Sequence, residues 1–381
     1  MIIGIDQIEK IEKYKKLKTI LITTNSTYNS KGITSFKIIK DIFKDNLKEI
    51  WSLQHGFFVD KQDNMIFSDS LYWEDFDVYI RSFYKKDLKN GFEMDKDFEL
   101  IIIDVFDVGT RVYTFLNHIV LILKQLSNSN VKILVLDRPN ILGKNIIEGN
   151  VIEEEYFSIV GILPIPMRHS LTSAEFINFG VNYYNLDFEL EIIKLKNINK
   201  SPNRETLFSN PSPNMTSFST ALVYPGAVML EGTNISEGRG TTMPFEFLGA
   251  PFINNFSLVE KLNDLKLENV IFLPVYFKPE FSKFKDIVCK GIMVKPIDIN
   301  KFGSFEVYYE IIRILYHEYE KFSWASPPYE FEYERLPIDM ITGGKFIRES
   351  IESNKSFKEI EDTINNQICK FNDIVKNFVL Y

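Results

Sequence analysis

At 381 residues the chain is longer than one ordinary domain, and 45% hydrophobic against 25% charged content excludes intrinsic disorder. A formal net charge of −8, with scattered lysines and no basic cluster, argues against nucleic acid and anionic membranes as partners. The two cysteines, Cys289 and Cys369, stand far apart, which excludes a disulfide framework.

In chain order, Met1 to Asp6 shows no basic segment followed by an apolar run. No apolar stretch approaches the ~20 residues a membrane helix needs. The expectation is a cytoplasmic protein. Residues 18–24 (KTILITT) then read as a buried strand, and 35–43 as a helix with Ile38, Ile39 and Ile42 on one face. Further strands are expected at 49–53, at 77–83 as an edge, at 100–105 (LIIIDV) and at 131–136 (VKILVL), with a helix over 113–125. Strands apolar on both faces and separated by helices are the mark of a parallel sheet covered on both sides. The fold class is therefore α/β: a Rossmann-like, doubly wound, mainly parallel sheet over 1–200, with a second, smaller α+β domain over 201–381.

The break falls where 201–203 and 210–214 become rich in turn residues. Beyond it, helices are expected at 258–265, 308–319 and 357–378, and strands at 270–277 and 291–294.

Ligands of open parallel sheets bind at the carboxyl ends of the strands. Here those ends deliver Asn25; Gln54 and His55; Asp107 and Arg111; and Asp137, Arg138 and Asn140. Each alone reads equally well as an ordinary polar loop or helix cap. Their recurrence on one edge points to a site. Arg168 and His169 precede a helix near Thr172, where His169 is either an acid/base or a bystander beside a capping Ser170 or Thr172. The stretch 231–244 packs glycines, Glu231, Glu237, Arg239, Asn234, Thr241 and Thr242 into one loop. Glycine allows close backbone approach to a ligand, so the loop reads as sugar- or anion-binding, with Glu231 or Glu237 as acid/base. The alternative is a long connection pinned by a Glu–Arg pair.

Several chemistries drop out. The turn after the first strand has no G-x-G-x-x-G, GRGTT lacks the spacing and lysine of a phosphate loop, and there is no G-x-S-x-G. His55, His118, His169 and His317 show no metal-ligand spacing. Carboxylates, amides and arginines remain, a set that suits carbohydrate chemistry. A glycosidase usually needs two carboxyl groups, and the candidates are Asp107, Asp137, Glu231 and Glu237.

With these motifs in view, the chain resembles the exo-β-N-acetylmuramidase family, formerly known only as a domain of unknown function. The resemblance is carried by Thr23–Asn25, His55–Phe57, Asp107–Thr114, Leu136–Asn140, Pro164–His169, Ser212–Met215, Leu222–Gly226, Leu230–Pro244 and Pro274–Phe277. It implies a cleft between the two domains and release of terminal N-acetylmuramic acid from muropeptides or related saccharides, without cofactor or metal. It also implies a substrate-contacting set of Asn25, Arg111, Asp137, Arg138, Asn140, Arg168, His169, Asn214, Asn234, Arg239, Thr241 and Thr242. The sugar's lactyl carboxylate makes Arg111, Arg138, Arg168 and Arg239 candidates for a charged contact. The catalytic candidates are Gln54, His55, Asp107, Glu231 and Glu237.

The sequence departs from the family where Glu-His-Gly becomes Gln54-His55-Gly56, because glutamine has no titratable proton to give a leaving oxygen. A second departure is Phe106 in place of a polar residue. Three readings follow: a hydrolase using another carboxyl, a muramyl-sugar binder with little turnover, or an enzyme for a substrate whose leaving group needs no acid. The first predicts that Gln54→Glu gains little activity on a chromogenic N-acetylmuramide; the second predicts a large gain.

Overall fold

The computed structural model describes residues 1–62, 65–84, 97–202 and 208–381. Asn203, in the turn expected at 201–203, lies outside them. The first part runs α1 (Ile8–Glu12), β1 (Thr19–Ile22), α2 (Ser35–Phe43), β2 (Leu47–Ser52), β3 (Leu71–Trp73), β4 (Val78–Ser82), β5 (Leu100–Ile103), α3 (Thr114–Leu126) and β6 (Lys132–Leu136). There follow β7 (Glu148–Val151), β8 (Pro166–Arg168), α4 (Ser173–Tyr183) and β9 (Leu190–Ile193).

Seven strands form one sheet in the order β3-β4-β2-β1-β5-β6-β9. All neighbours pair in parallel except β3 with β4. Counting parallel strands alone, the order is the doubly wound one, reversing between β1 and β5. The expected edge strand at 77–83 is therefore one place in, covered by the short antiparallel β3.

Alternation along the strands explains the two-sided apolar pattern. Ile20, Ile22, Ile101, Ile103, Ile133 and Val135 share one core with Phe115 and Ile119 of α3 and Ile177 of α4. Leu21, Ile102, Leu134 and Leu136 share the other with Phe36, Ile39 and Phe43 of α2. Thr34 starts α2 by accepting from the Lys37 amide, and Thr172 starts α4 in a reciprocal cap with Glu175.

The remainder comprises α5 (Phe218–Ala227), β10 (Phe247–Ala250), α6 (Asn255–Asp264), β11 (Val270–Phe277), β12 (Cys289–Pro296), α7 (Ser304–Glu318), α8 (Pro337–Thr342), α9 (Phe346–Glu352) and α10 (Phe357–Val375). Its antiparallel sheet has the order β10-β12-β11. The apolar core on the α3–α4 side continues without a break through Leu222, Ile312, Ile341 and Val375.

Helix α5 carries Pro225, which cannot donate to the helical ladder. Ser304, at the start of α7, stitches the gap: its hydroxyl accepts from the Gly226 amide at 2.9 Å and donates to the Val223 carbonyl at 2.6 Å. The helices touch backbone to backbone here, and a Cβ on Gly226 would stand 2.2 Å from the Ser304 carbonyl oxygen. Gly226→Ala is expected to lose about 1–3 kcal/mol by forcing α5 from α7. Denaturant unfolding checks this, and an unchanged midpoint would show that the contact yields freely.

Candidate active site

A pocket forms where four stretches of chain converge. The end of β2 supplies Gln54 and His55, the start of α3 supplies Tyr113 and Thr114, α5 and the turn after it supply Tyr224 and Glu231, and an irregular segment before α8 supplies Tyr329 and Glu330. Asn214, Arg239 and Phe245 also line it. The free space is narrow, about 40 Å³. Two of the lining residues also hold the Gln62 carbonyl, which accepts from Asn214 Nδ2 at 2.8 Å and from Arg239 Nη1 at 3.3 Å.

Two carboxyl groups inside the pocket differ in state. Glu231 accepts from Arg239 Nη2 at 2.6 Å and from the Tyr329 hydroxyl at 2.8 Å. Glu330 accepts from Gln54 Nε2 at 2.9 Å and from the Tyr84 hydroxyl at 2.7 Å. The Gln54 amide is oriented by this network, since its oxygen takes the Thr114 hydroxyl. Burial pushes the Glu330 carboxyl up to about 7; the Tyr84 and Gln54 bonds oppose the rise and nearby Glu231 adds to it. A buried carboxyl near 7 beside a salt-bridged one is the pattern that separates acid from base roles.

Glu237 does not share this character. Burial alone would raise it, but Lys283 Nζ at 2.9 Å and Arg239 Nε at 3.3 Å outweigh burial and hold it below the usual carboxylate range. It is ionised and tied down. Asp107 lies behind the wall, within electrostatic reach of Tyr113 and Tyr224. Its Oδ1 accepts from the Gly109 amide at 2.7 Å, Oδ2 has no partner among the described residues, and burial pushes it up to about 7. His55 lines the pocket and donates through Nδ1 to the Lys61 carbonyl.

The remaining expected residues are placed elsewhere. Arg138 plugs the crevice between β1 and β5, donating to Asp104 at 2.5 and 3.0 Å, to the Tyr28 carbonyl and to Ser35. Arg168 is buried against Glu148 at 2.5 Å and the Leu142 carbonyl. Arg111 is wholly buried and donates to the carbonyls of Asn150, Ile165 and Ile341. Of the four candidate arginines, Arg239 is the one on the pocket wall. Asp137 receives the Ala174 amide and the Thr172 and Tyr381 hydroxyls at the start of α4. Asn140 bonds Leu171 and Leu142, and the buried His169 accepts from the Leu171 amide. Burial lowers His169 to about 3, so it stays neutral.

Asn25 lines a larger, more open cavity of about 560 Å³ with Tyr28, Phe58 and Asn210. Asn234 fastens the 321–323 segment, the Thr241 hydroxyl bonds Gly238, and Thr242 is exposed. The glycines of this loop serve its own packing: a Cβ on Gly238 would meet Phe247 and Met243 at 2.7–2.8 Å, and one on Gly240 would meet Phe281 at 2.7 Å. The loop is thus pinned by Glu–Arg and Glu–Lys pairs, while Glu231 and Arg239 also face the pocket.

Tyr84, Tyr329 and Glu330 were not among the expected residues. Glu330 sits in no regular element, and only the alternation of aromatic and acidic residues over 329–334 marks the segment.

Two family models of exo-beta-N-acetylmuramidase NamZ match this chain, the N-terminal one over residues 19–219 and the C-terminal one over 222–381. The chain is 33% identical over 390 residues to the peptidoglycan beta-N-acetylmuramidase NamZ of Bacillus subtilis (strain 168), covering 99% of this chain and 91% of that one. A crystal structure of a DUF1343 family protein (BF0371) from Bacteroides fragilis NCTC 9343 superposes with a TM-score of 0.84 at 24% identity, over 100% of this chain and 98% of that one. A second from the same organism (BF0379) gives 0.74 at 23%, with the same coverage. At these identities the two structures speak for the fold.

Two expectations test the sorting of buried charges. Arg138→Met strands Asp104, which is fully buried, and should cost about 3–5 kcal/mol in denaturant unfolding; a loss under ~1 kcal/mol would deny the pair a structural role. Asp107 ionises near 7 when folded and near ~3.9 when unfolded, so its contribution falls as pH rises between those values. Asp107→Asn should therefore be more stable than wild type at pH 8, by about 1–3 kcal/mol, with the gap closing toward pH 4. A gap independent of pH in thermal melts would refute this.

Proposed function

The chain belongs to the exo-β-N-acetylmuramidase family, and from that membership we propose that it hydrolyses the terminal β-linked N-acetylmuramic acid from peptidoglycan fragments. The observation that carries this reading is one pocket holding two carboxyl groups in different states, Glu231 ion-paired and Glu330 pushed up by burial, with an arginine on its wall. Two carboxyls in distinct states are what glycoside hydrolysis requires. Gln54 removes one titratable group but sits in contact with another, which favours turnover over mere binding.

In this reading the lactyl carboxylate meets Arg239, whose side chain is 12% exposed and lines the pocket. Glu231, paired with Arg239 and Tyr329, faces the positive charge that develops on the sugar ring.

The direct test is release of N-acetylmuramic acid from para-nitrophenyl β-N-acetylmuramide and from an N-acetylmuramyl-β-1,4-N-acetylglucosamine disaccharide. No release from either would reject the function. Arg239→Lys keeps the charge beside Glu231 and Glu237 but loses the planar fork. By calorimetry it should narrow the preference for free N-acetylmuramic acid over N-acetylglucosamine about tenfold, the ratio that ~1.4 kcal/mol represents. Equal weakening of both sugars would place the lactyl contact elsewhere.

A further inference from the structure

We propose that Glu330 is the proton donor to the leaving glycosidic oxygen, standing in for the acid that position 54 lacks. The inference rests on the hydrolase reading above and names the acid of that same site.

The resemblance implies an acid at position 54, and the side chain there is an amide whose two ends are both engaged. Its oxygen takes the Thr114 hydroxyl and its nitrogen donates to Glu330 Oε1 at 2.9 Å. The nearest carboxyl to the vacated role is thus one hydrogen bond away, on the same pocket wall. A carboxylate oxygen has two lone-pair directions. Gln54 occupies one on Oε1 and Tyr84 one on Oε2, which leaves a further direction on each oxygen for a transferable proton.

Glu237 is locked between Lys283 and Arg239, Glu231 is bound to Arg239 and Tyr329, and Asp107 stands behind Tyr113 and Tyr224. Glu330 combines a place on the pocket wall with burial that keeps a substantial fraction protonated near neutrality.

The backbone at Glu330 is unusual as well. Glu330 and Phe331 both have positive φ, 46° and 66°, and Tyr329 and Glu332 exchange backbone hydrogen bonds at 2.9 Å on either side of them. This is a mirror-image hairpin turn, whose two central positions favour Asn and Gly. A glutamate followed by a phenylalanine is a poor choice for its stability. The turn thus holds the glutamate in a conformation its residue type disfavours, beside the pocket.

In the step itself the Glu330 O–H bond breaks and its proton joins the glycosidic oxygen as the bond from that oxygen to C1 breaks. The bonding pair stays on the departing oxygen. Water supplies hydroxyl to C1, and the proton that water sheds restores the Glu330 carboxyl, so the group ends as it began.

The experiment compares wild type, Glu330→Gln and Glu330→Asn on the disaccharide and on the para-nitrophenyl glycoside, whose phenolate leaves with little help. Both variants should lose about 10²–10⁴-fold in kcat on the disaccharide and far less on the aryl glycoside. Binding of free N-acetylmuramic acid should persist, and the fall in wild-type disaccharide turnover above about pH 7 should vanish from the residual activity of the variants. Glu330→Gln keeps the side chain's length and Glu330→Asn suits the turn, and melting midpoints of both above the assay temperature separate lost chemistry from unfolding. Equal losses on both substrates, lost sugar binding, or a wild-type disaccharide profile with no decline above neutrality would each overturn the proposal while leaving the hydrolase reading intact. A wild type inert on both substrates would overturn both.

Discussion

The two parts of the chain are held in register by one buried guanidinium. Arg111 leaves the turn after β5 and donates to the carbonyls of Asn150 and Ile165 in the first part and of Ile341, at the end of α8, in the second. Its counter-charge is the partial negative charge of backbone carbonyls, at a helix carboxyl end that favours a cation. Burial lowers its pKa to about 9, leaving it charged at neutral pH. The Asn150 amide adds a bond to the Thr342 carbonyl, and the Glu153 amide one to Gly343. Because Arg111 directly precedes Val112, Tyr113 and Thr114, the contact that docks α8 also sets one wall of the pocket.

Desolvation decides which charged groups are available to a ligand. Arg138, Arg168 and Arg111 are buried with protein partners, and extracting any of them would strand a carboxylate or a set of carbonyls in low dielectric. Such exposure of an uncompensated buried charge costs about 3–5 kcal/mol, against ~0–1 kcal/mol for a surface pair. The first crevice one would search, where strand order reverses between β1 and β5, is filled by Arg138 and Asp104. The pocket opens beside it, at the end of β2, where Gln54 and His55 meet groups from the far end of the chain.

That meeting gives Gln54 a different meaning. Read alone, it is the loss of an acid. In the fold it is a neutral donor to Glu330, which a second carboxyl at the same place could not be without the two sharing a proton. The amide, the Thr114 hydroxyl and the Tyr84 hydroxyl form a fixed frame around one carboxyl, and low dielectric strengthens every bond in it.

Much of the architecture follows from local pattern. Strands β1, β5 and β6 are apolar on both faces because the sheet is covered on both, and α2 begins and ends where its cap and periodicity place it. The eight-residue β11 was equally legible. By contrast β9, with a glutamate inside four residues, becomes a strand only by pairing with β6. Helix α5 contains Pro225 and Gly226, and α7 supplies the Ser304 hydroxyl that bonds it at Val223 and Gly226. At the pocket, residue types alone singled out Gln54, His55, Glu231 and Arg239, since polar groups crowded in loops are visible in one dimension, while Asn214 came from the family resemblance. Which arginines are buried, and that Glu330 comes to lie against a side chain 276 positions earlier, are properties of packing between distant segments. Periodicity reports what neighbours in sequence share, whereas burial and long-range hydrogen bonds exist only once the chain has closed on itself.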